Sequence, residues 1–373
     1  MKHPNTKQNI RTGLIAAASC ILSGAMLLTL LHTNANLPSL KISDTSETFE
    51  QTINDLLTTE LGGNAQDVYF IKSLQDSDLI APEPDPNCFG TAASPSEMAL
   101  ILETAANALN INAPLFTVNT PIKEGTDVQY YLDDTIFAVT WKQSVKNCTY
   151  TFSEVKIAHP SQLRRFYSEG KYNSGILHTT TEMAASVNAV TASSGDYYSY
   201  RNFGIVVNEG VVHRANGQLL DTCYIDHNGD LLFTYAREID GKTEVQNFVN
   251  ENKVRFSISF GPVLLVNSVN MVPFYYNNGE INENYPRAAL CQMDALHYVV
   301  VCANQEAPDY ILPTVHQFAE NLAELGIPTA YALDGGQTAS IVFNDRLINT
   351  VSYGAQREIS DIIYFATAAG AEQ

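Results

Sequence analysis

Near the C-terminal end, the run Leu333-Asp334-Gly335-Gly336-Gln337-Thr338 sets a carboxylate against two glycines where an apolar stretch stops. Glycine lets a backbone turn where a side chain would clash, and lets a ligand approach the amides closely. A carboxylate in such a gap can donate or accept a proton, or attack, depending on what enters. An isolated Asp-Gly-Gly is equally a plain turn. The surrounding elements have to decide between the two.

Upstream, Val315, Phe318, Leu322 and Leu325 recur at helical spacing. Thr314 and Gln317 have the spacing of a capping box, and Gly326 with Pro328 supplies the stop. The local order is therefore helix, short buried strand, Asp-Gly-Gly loop, then a strand through Ile341, Val342 and Phe343. Loops that follow buried strands of a mixed sheet are common places for ligand-binding groups. Strand patterns also run through 135–140, 205–207, 231–235 and 299–301, with helices expected at 161–167 and 180–187. The class predicted for 128–370 is α+β: a mixed, strand-rich sheet core with a few packed helices.

The N-terminus carries a separate signal. Lys2, Lys7 and Arg11 in a cytoplasmic basic flank (1–12) precede an uncharged stretch, 13–31, rich in Leu, Ile and Ala. That length suits a bilayer-spanning signal-anchor better than the roughly 7–15 apolar residues of a cleaved signal. Thr33-Asn34-Ala35 would be the cleavage site of a secreted form. The expectation is a transmembrane helix contacting the membrane, with the remainder extracytoplasmic. Residues 32–127, broken by Pro82, Pro84 and Pro86, read as a stalk with weak helical pieces.

The chain has 21 Lys and Arg against 40 Asp and Glu, a formal charge of −19. Such a surface argues against nucleic acid as a partner and requires that any phosphate be met by a local cation. Of six cysteines, Cys20 lies in the apolar stretch, and Cys291 and Cys302 flank a strand pair that they could bridge. No spacing announces a metal site or a cofactor, although Asp196 or Asp334 could hold a divalent cation.

Several ordered blocks resemble the phosphodiester glycosidase family. They are His159-Pro160-Ser161-Gln162-Leu163-Arg164, Ser193-Ser194-Gly195-Asp196-Tyr197-Tyr198, Phe260-Gly261-Pro262-Val263-Leu264 and Tyr285-Pro286-Arg287-Ala288-Ala289. The Asp334 loop and Arg357-Glu358-Ile359-Ser360-Asp361 complete the series. The resemblance implies cleavage of a glycosyl-1-phosphodiester to free sugar and phosphomonoester, with a glycan or glycosyl phosphate as substrate. It implies Asp334 and Asp196 as the catalytic carboxylates and Arg287 as the phosphate ligand, with Arg357 as a second cation. Gly195, Gly335 and Gly336 would offer close-approach backbone. Thr338 would offer a hydroxyl, and Tyr197 a ring for a sugar face. The family usually has Asn where this chain has Ser194, and a third Gly where it has Gln337. Ser194 keeps a hydrogen-bonding group with a shorter reach, and Gln337 narrows the loop while adding an amide for a sugar hydroxyl. A glycan-binding or envelope-assembly protein that keeps the fold without catalysis is the competing class.

Overall fold

The computed structural model describes residues 80–111, 114–115, 128–304, 306 and 311–369. The expected anchor 13–31 and its flank lie outside them. Among the described residues no helix is long and apolar enough to cross a membrane.

Strands, numbered in chain order, form three sheets. The largest runs β1 (Phe89–Ala92), β2 (Val128–Leu132), β3 (Ile136–Val145), β4 (Cys148–Ile157), β15 (His297–Asn304), β14 (Arg287–Asp294), β16 (Thr329–Leu333), β12 (Val263–Val266) and β13 (Val269–Asn270). A second has the order β10 (Leu231–Thr234), β9 (Thr222–Asp226), β11 (Val254–Ile258), β7 (Gly204–Asn208) and β8 (Val211–Asn216). The third has β18 (Arg346–Leu347), β17 (Ile341–Phe343), β6 (Thr191–Ser194), β19 (Asp361–Phe365) and β5 (Leu163–Tyr167). Four α-helices accompany them among the described residues: α1 (Pro95–Leu109), α2 (Thr180–Ser186), α3 (Gly241–Glu251) and α4 (Val315–Glu324).

The expected α+β class with a mixed sheet is thereby corrected: the protein is mostly β, and neighbouring strands in all three sheets pair antiparallel. The reason is long-range pairing. The stretch 161–167, expected as a helix, has only a 3-10 turn at Pro160–Gln162 before β5 hydrogen-bonds to β19, with Arg165 opposite Ile363. Helix α3, whose exposed face is polar, was not foreseen. Helix α4 forms where expected, with Thr314 and Gln317 closing the capping box.

Alternation along the central strands explains the layering. Val299 and Val301 face the cluster that holds Phe318 and Leu322 of α4, together with Met98 and Ala105 of α1. Val300 and Cys302 face the opposite cluster, shared with Ile225 and Phe256 of the second sheet and Ile341 and Phe365 of the third. The main sheet is thus covered on both faces, so its central strands read as continuous apolar runs. Strand β1, paired with β2, and helix α1 belong to this assembly although they lie inside the stretch read as a stalk. Cys291 pairs across with Val299 and Cys302 with Ala288, and both thiols are free.

Candidate active site

Strands β14 and β16 are neighbours with Ala288 opposite Leu333. Asp334, just past β16, and Arg287, opening β14, therefore leave the sheet at the same end. The Gly336 N–H donates to the Pro286 carbonyl at 2.9 Å. A Cβ on Gly335 would stand 2.7 Å from that same oxygen, so the approach of the two loops demands glycine there. Gly336 then turns at φ 62°, and the Thr338 hydroxyl donates to the Gly335 carbonyl at 2.7 Å. The Ser194 hydroxyl, from the end of β6, donates to the Asp334 carbonyl at 2.9 Å. Two sheets thus fix one short loop.

That loop walls a cleft of about 540 Å³. Of the residues singled out in the sequence, Asp334, Arg287, Tyr197, Gly335, Gly336, Gln337 and Arg357 line it. Ser194 and Thr338 brace the loop from behind. Gly195 and Asp196 lie away from the cleft lining.

Asp334 is 6% exposed, and its Oδ2 accepts from Arg357 Nη2 at 2.6 Å. Burial pushes its carboxyl up to about 6, against the pull of Arg357, Thr338 and Arg201. Arg357 keeps a third of its side chain exposed, and its Nε has no hydrogen-bond partner. Its guanidinium stands 5.2 Å from the Tyr197 ring centroid and 5.4 Å from that of Tyr200. Those two rings stack at 4.7 Å. A partly exposed cation held over aromatic faces at a cleft is equipped to meet an anion.

Arg287 is differently occupied. Its Nε donates to the Pro313 carbonyl at 3.3 Å, Nη1 to Gly279 at 2.7 Å, and Nη2 to Glu280 and Glu283. It binds the 279–286 loop together, and burial lowers its pKa to about 10. The Arg287 donors are thus taken up by backbone carbonyls, whereas Arg357 is a third exposed where it lines the cleft.

Asp196 is withdrawn from the cleft. Its carboxylate accepts from Tyr197 N–H at 2.6 Å, Ser259 N–H at 3.0 Å and Arg201, and lies 3.6 Å from Arg165. Burial pushes the carboxyl up, but Arg201, Arg165 and the Ser259 N–H outweigh it and hold it below the ordinary value. Asp361 takes the other side of Arg165 at 2.7 Å. Gly195 closes this assembly, since a Cβ there would meet the Asp361 carboxylate at 2.5 Å. The expected pair of cleft carboxylates is thus reduced to Asp334, with Glu280 the other acidic residue of the lining.

A family model described as phosphodiester glycosidase matches residues 185–366. Residues 185–366 are thus similar to phosphodiester glycosidase domains. The matched segment contains both sides of the Asp334–Arg357 pair and begins at the end of α2. Among solved structures, the catalytic domain of zebrafish N-acetylglucosamine-1-phosphodiester alpha-N-acetylglucosaminidase, auto-inhibited by pro-peptide, is similar in fold. The TM-score is 0.51 at 15% identity, covering 70% of this chain and 92% of that one. A hypothetical protein from Synechocystis aligns with TM-score 0.44 at 11% identity over 62% of each chain. Comparison with curated proteins gave no match.

The cleft also has residues to which the sequence reading gave no role: Tyr276, Asn277, Asn278, Glu280, Tyr285 and Tyr353. The dense aromatic and amide run Phe274-Tyr275-Tyr276-Asn277-Asn278 was the available signal. Among the described residues no three His, Cys, Asp or Glu side chains gather as a metal site.

Proposed function

We propose that the protein hydrolyses a glycosyl-1-phosphodiester to free sugar and a phosphomonoester. The observation that carries the reading is the Asp334–Arg357 pair on the wall of the cleft, inside the segment that matches the family. Water attacks the anomeric carbon while its proton passes to the Asp334 carboxylate. The bond from that carbon to the phosphate oxygen breaks, and its electron pair leaves with the phosphate. Phosphate is a good leaving group, so charge stabilisation by Arg357 matters more than protonation of the leaving oxygen. With a carboxyl titrating at about 6, Asp334 is ionised, as a base must be, above that pH.

The apolar stretch 13–31 and its basic flank support action at the cell membrane, with the domain extracytoplasmic and the substrate in a cell-envelope or exopolysaccharide polymer. One observation favours the second reading, a glycan-binding or envelope-assembly protein without catalysis: Asp196 is sealed in ion pairs, leaving Asp334 without the expected partner carboxylate.

The full chain incubated with methyl diesters of glucose-, mannose- and N-acetylglucosamine-1-phosphate in ¹⁸O-water tests the proposal. Free sugar should appear carrying the label, and Asp334→Asn should slow its release about 10²–10⁴-fold. Label in the phosphate would move the cut to the P–O bond. No sugar released, with glycan still bound, would leave the binding protein.

A further inference from the structure

We infer that Tyr353 is the stacking platform for a second sugar, so that the cleft takes a phosphodiester-linked glycan chain in preference to a small glycosyl phosphate. The inference rests on the reading of the cleft given above. Tyr353 lines the cleft, yet it is 95% exposed. It also adopts φ 61°, a left-handed angle that bulky residues rarely take, just before Gly354 at φ 72°. Among the described residues nothing covers the ring, and the backbone would sit more easily with glycine there. An aromatic ring held in water at a ligand cleft, against local conformational preference, is accounted for by what it meets when the cleft fills.

The turn that carries the ring is fastened to the reacting end of the cleft. Gly354 N–H donates to the Val351 carbonyl at 3.1 Å, and Val351 is buried. Gln337 Nε2 donates to the Ala355 carbonyl at 2.9 Å, and Arg357 closes the segment on Asp334. Gln337 therefore acts as a positioning residue for Tyr353, through a backbone clasp that a glycine could not make. Three anchors, at Gly354, Ala355 and Arg357, hold the platform's turn relative to Asp334.

Charge supplies the independent argument. A chain of net charge −19 gains no long-range attraction from a polyanion. Affinity for a phosphodiester polymer must then come from short-range contacts with its sugars. Tyrosine offers these, an apolar face to the sugar C–H groups and a hydroxyl to its rim. Tyr285, 43% exposed, gives the cleft a second aromatic face on the Pro286 side.

The experiment compares the methyl diesters above with phosphodiester-linked oligomers of three to six of the same sugars, on the full chain. The readout is the ratio of kcat/KM for oligomer to that for diester. Tyr353→Ala should lower this ratio about tenfold, through KM, and Tyr353→Phe should restore most of it. Gln337→Gly should shift it in the same direction, again in KM and not in kcat. An unchanged ratio in Tyr353→Ala, or equal losses on both substrates, overturns the inference. If the wild type hydrolyses neither, the catalytic reading has failed, and calorimetry with the same oligomers decides the platform. Tenfold weaker oligomer binding by Tyr353→Ala then upholds it, and equal binding removes it.

Discussion

Two groups of carboxylates and guanidinia, built from the same residue types, lie on either side of one loop. Asp196 and Asp361 share Arg165, and Arg201 adds a second cation, with the Arg165, Asp196 and Asp361 side chains wholly buried. Asp334 has Arg357 as its one ion-pair partner among the described residues, and that arginine is a third exposed. The first group spends its charge on β5, β6 and β19 and on the Ser257 and Ser259 segment. The second sets a partly exposed arginine beside a cleft. Residue identity does not separate a scaffold pair from a reactive one; the supply of partners does. Asp196, with two arginines and two N–H donors, is held ionised, whereas burial pushes Asp334 and, inside the sealed group, Asp361 up to about 6, each paired with a single arginine.

The largest effect expected from this contrast falls on stability. Asp196→Ala removes the ion-pair partner of Arg201 and one of the two partners of Arg165 in a place that water does not reach. Breaking a buried pair from one side costs about 3–5 kcal/mol. The urea midpoint of Asp196→Ala should drop accordingly, while Asp334→Asn, cut from the open pair, should fold at least as well as the wild type at neutral pH. Equal losses in the two variants would erase the distinction between the regions.

This contrast also marks what the sequence could and could not reveal. The Asp334 loop was legible because its cues are local: a capping box at Thr314 and Gln317, a stop at Gly326, a short apolar strand, then Asp-Gly-Gly. Asp196 looked equivalent because Gly195 precedes it, but its fate depends on Arg165, brought in by pairing of β5 with β19 across nearly two hundred residues. Arg287 looked free because its ligands are backbone carbonyls of the 279–283 segment and Pro313, which carry no signature. The same long-range pairing turned the expected helix at 161–167 into a strand and an α+β expectation into a mostly β fold. Local pattern located the loop; only tertiary partners could assign its neighbours.

A second effect, smaller and tied to pH, sharpens the comparison from the open side. Asp334 titrates near the ordinary aspartate value of 3.8 when unfolded and at about 6 when folded. Between those values the folded chain holds the extra proton, so this group's contribution is complete below the lower value and is lost as pH rises through about 6. The difference amounts to about 3 kcal/mol. Asparagine mimics the protonated form. The stability of Asp334→Asn relative to wild type should therefore grow between pH 4 and pH 7, as read from paired urea titrations. Asp196, held below its ordinary value, would give the opposite sign, with stability lost as pH falls. A pH-independent difference between Asp334→Asn and wild type would mean that Arg357 fully offsets the burial of Asp334.

The smallest effect concerns a side chain that joins the two regions. Ser194 stands immediately before Gly195 and Asp196, and its hydroxyl donates to the Asp334 carbonyl in a site without solvent. The family block usually carries Asn here, and the shorter serine still reaches because β6 and the Asp334 loop are already in contact. Ser194→Ala leaves that carbonyl without this donor, a loss of about 1 kcal/mol. The cost should appear in the urea midpoint with no change in its pH dependence, since neither carboxylate loses a charged partner. A shift in the Asp334 titration in Ser194→Ala would show instead that the sealed network tunes the open pair through this bond. The two regions would then work as one electrostatic unit.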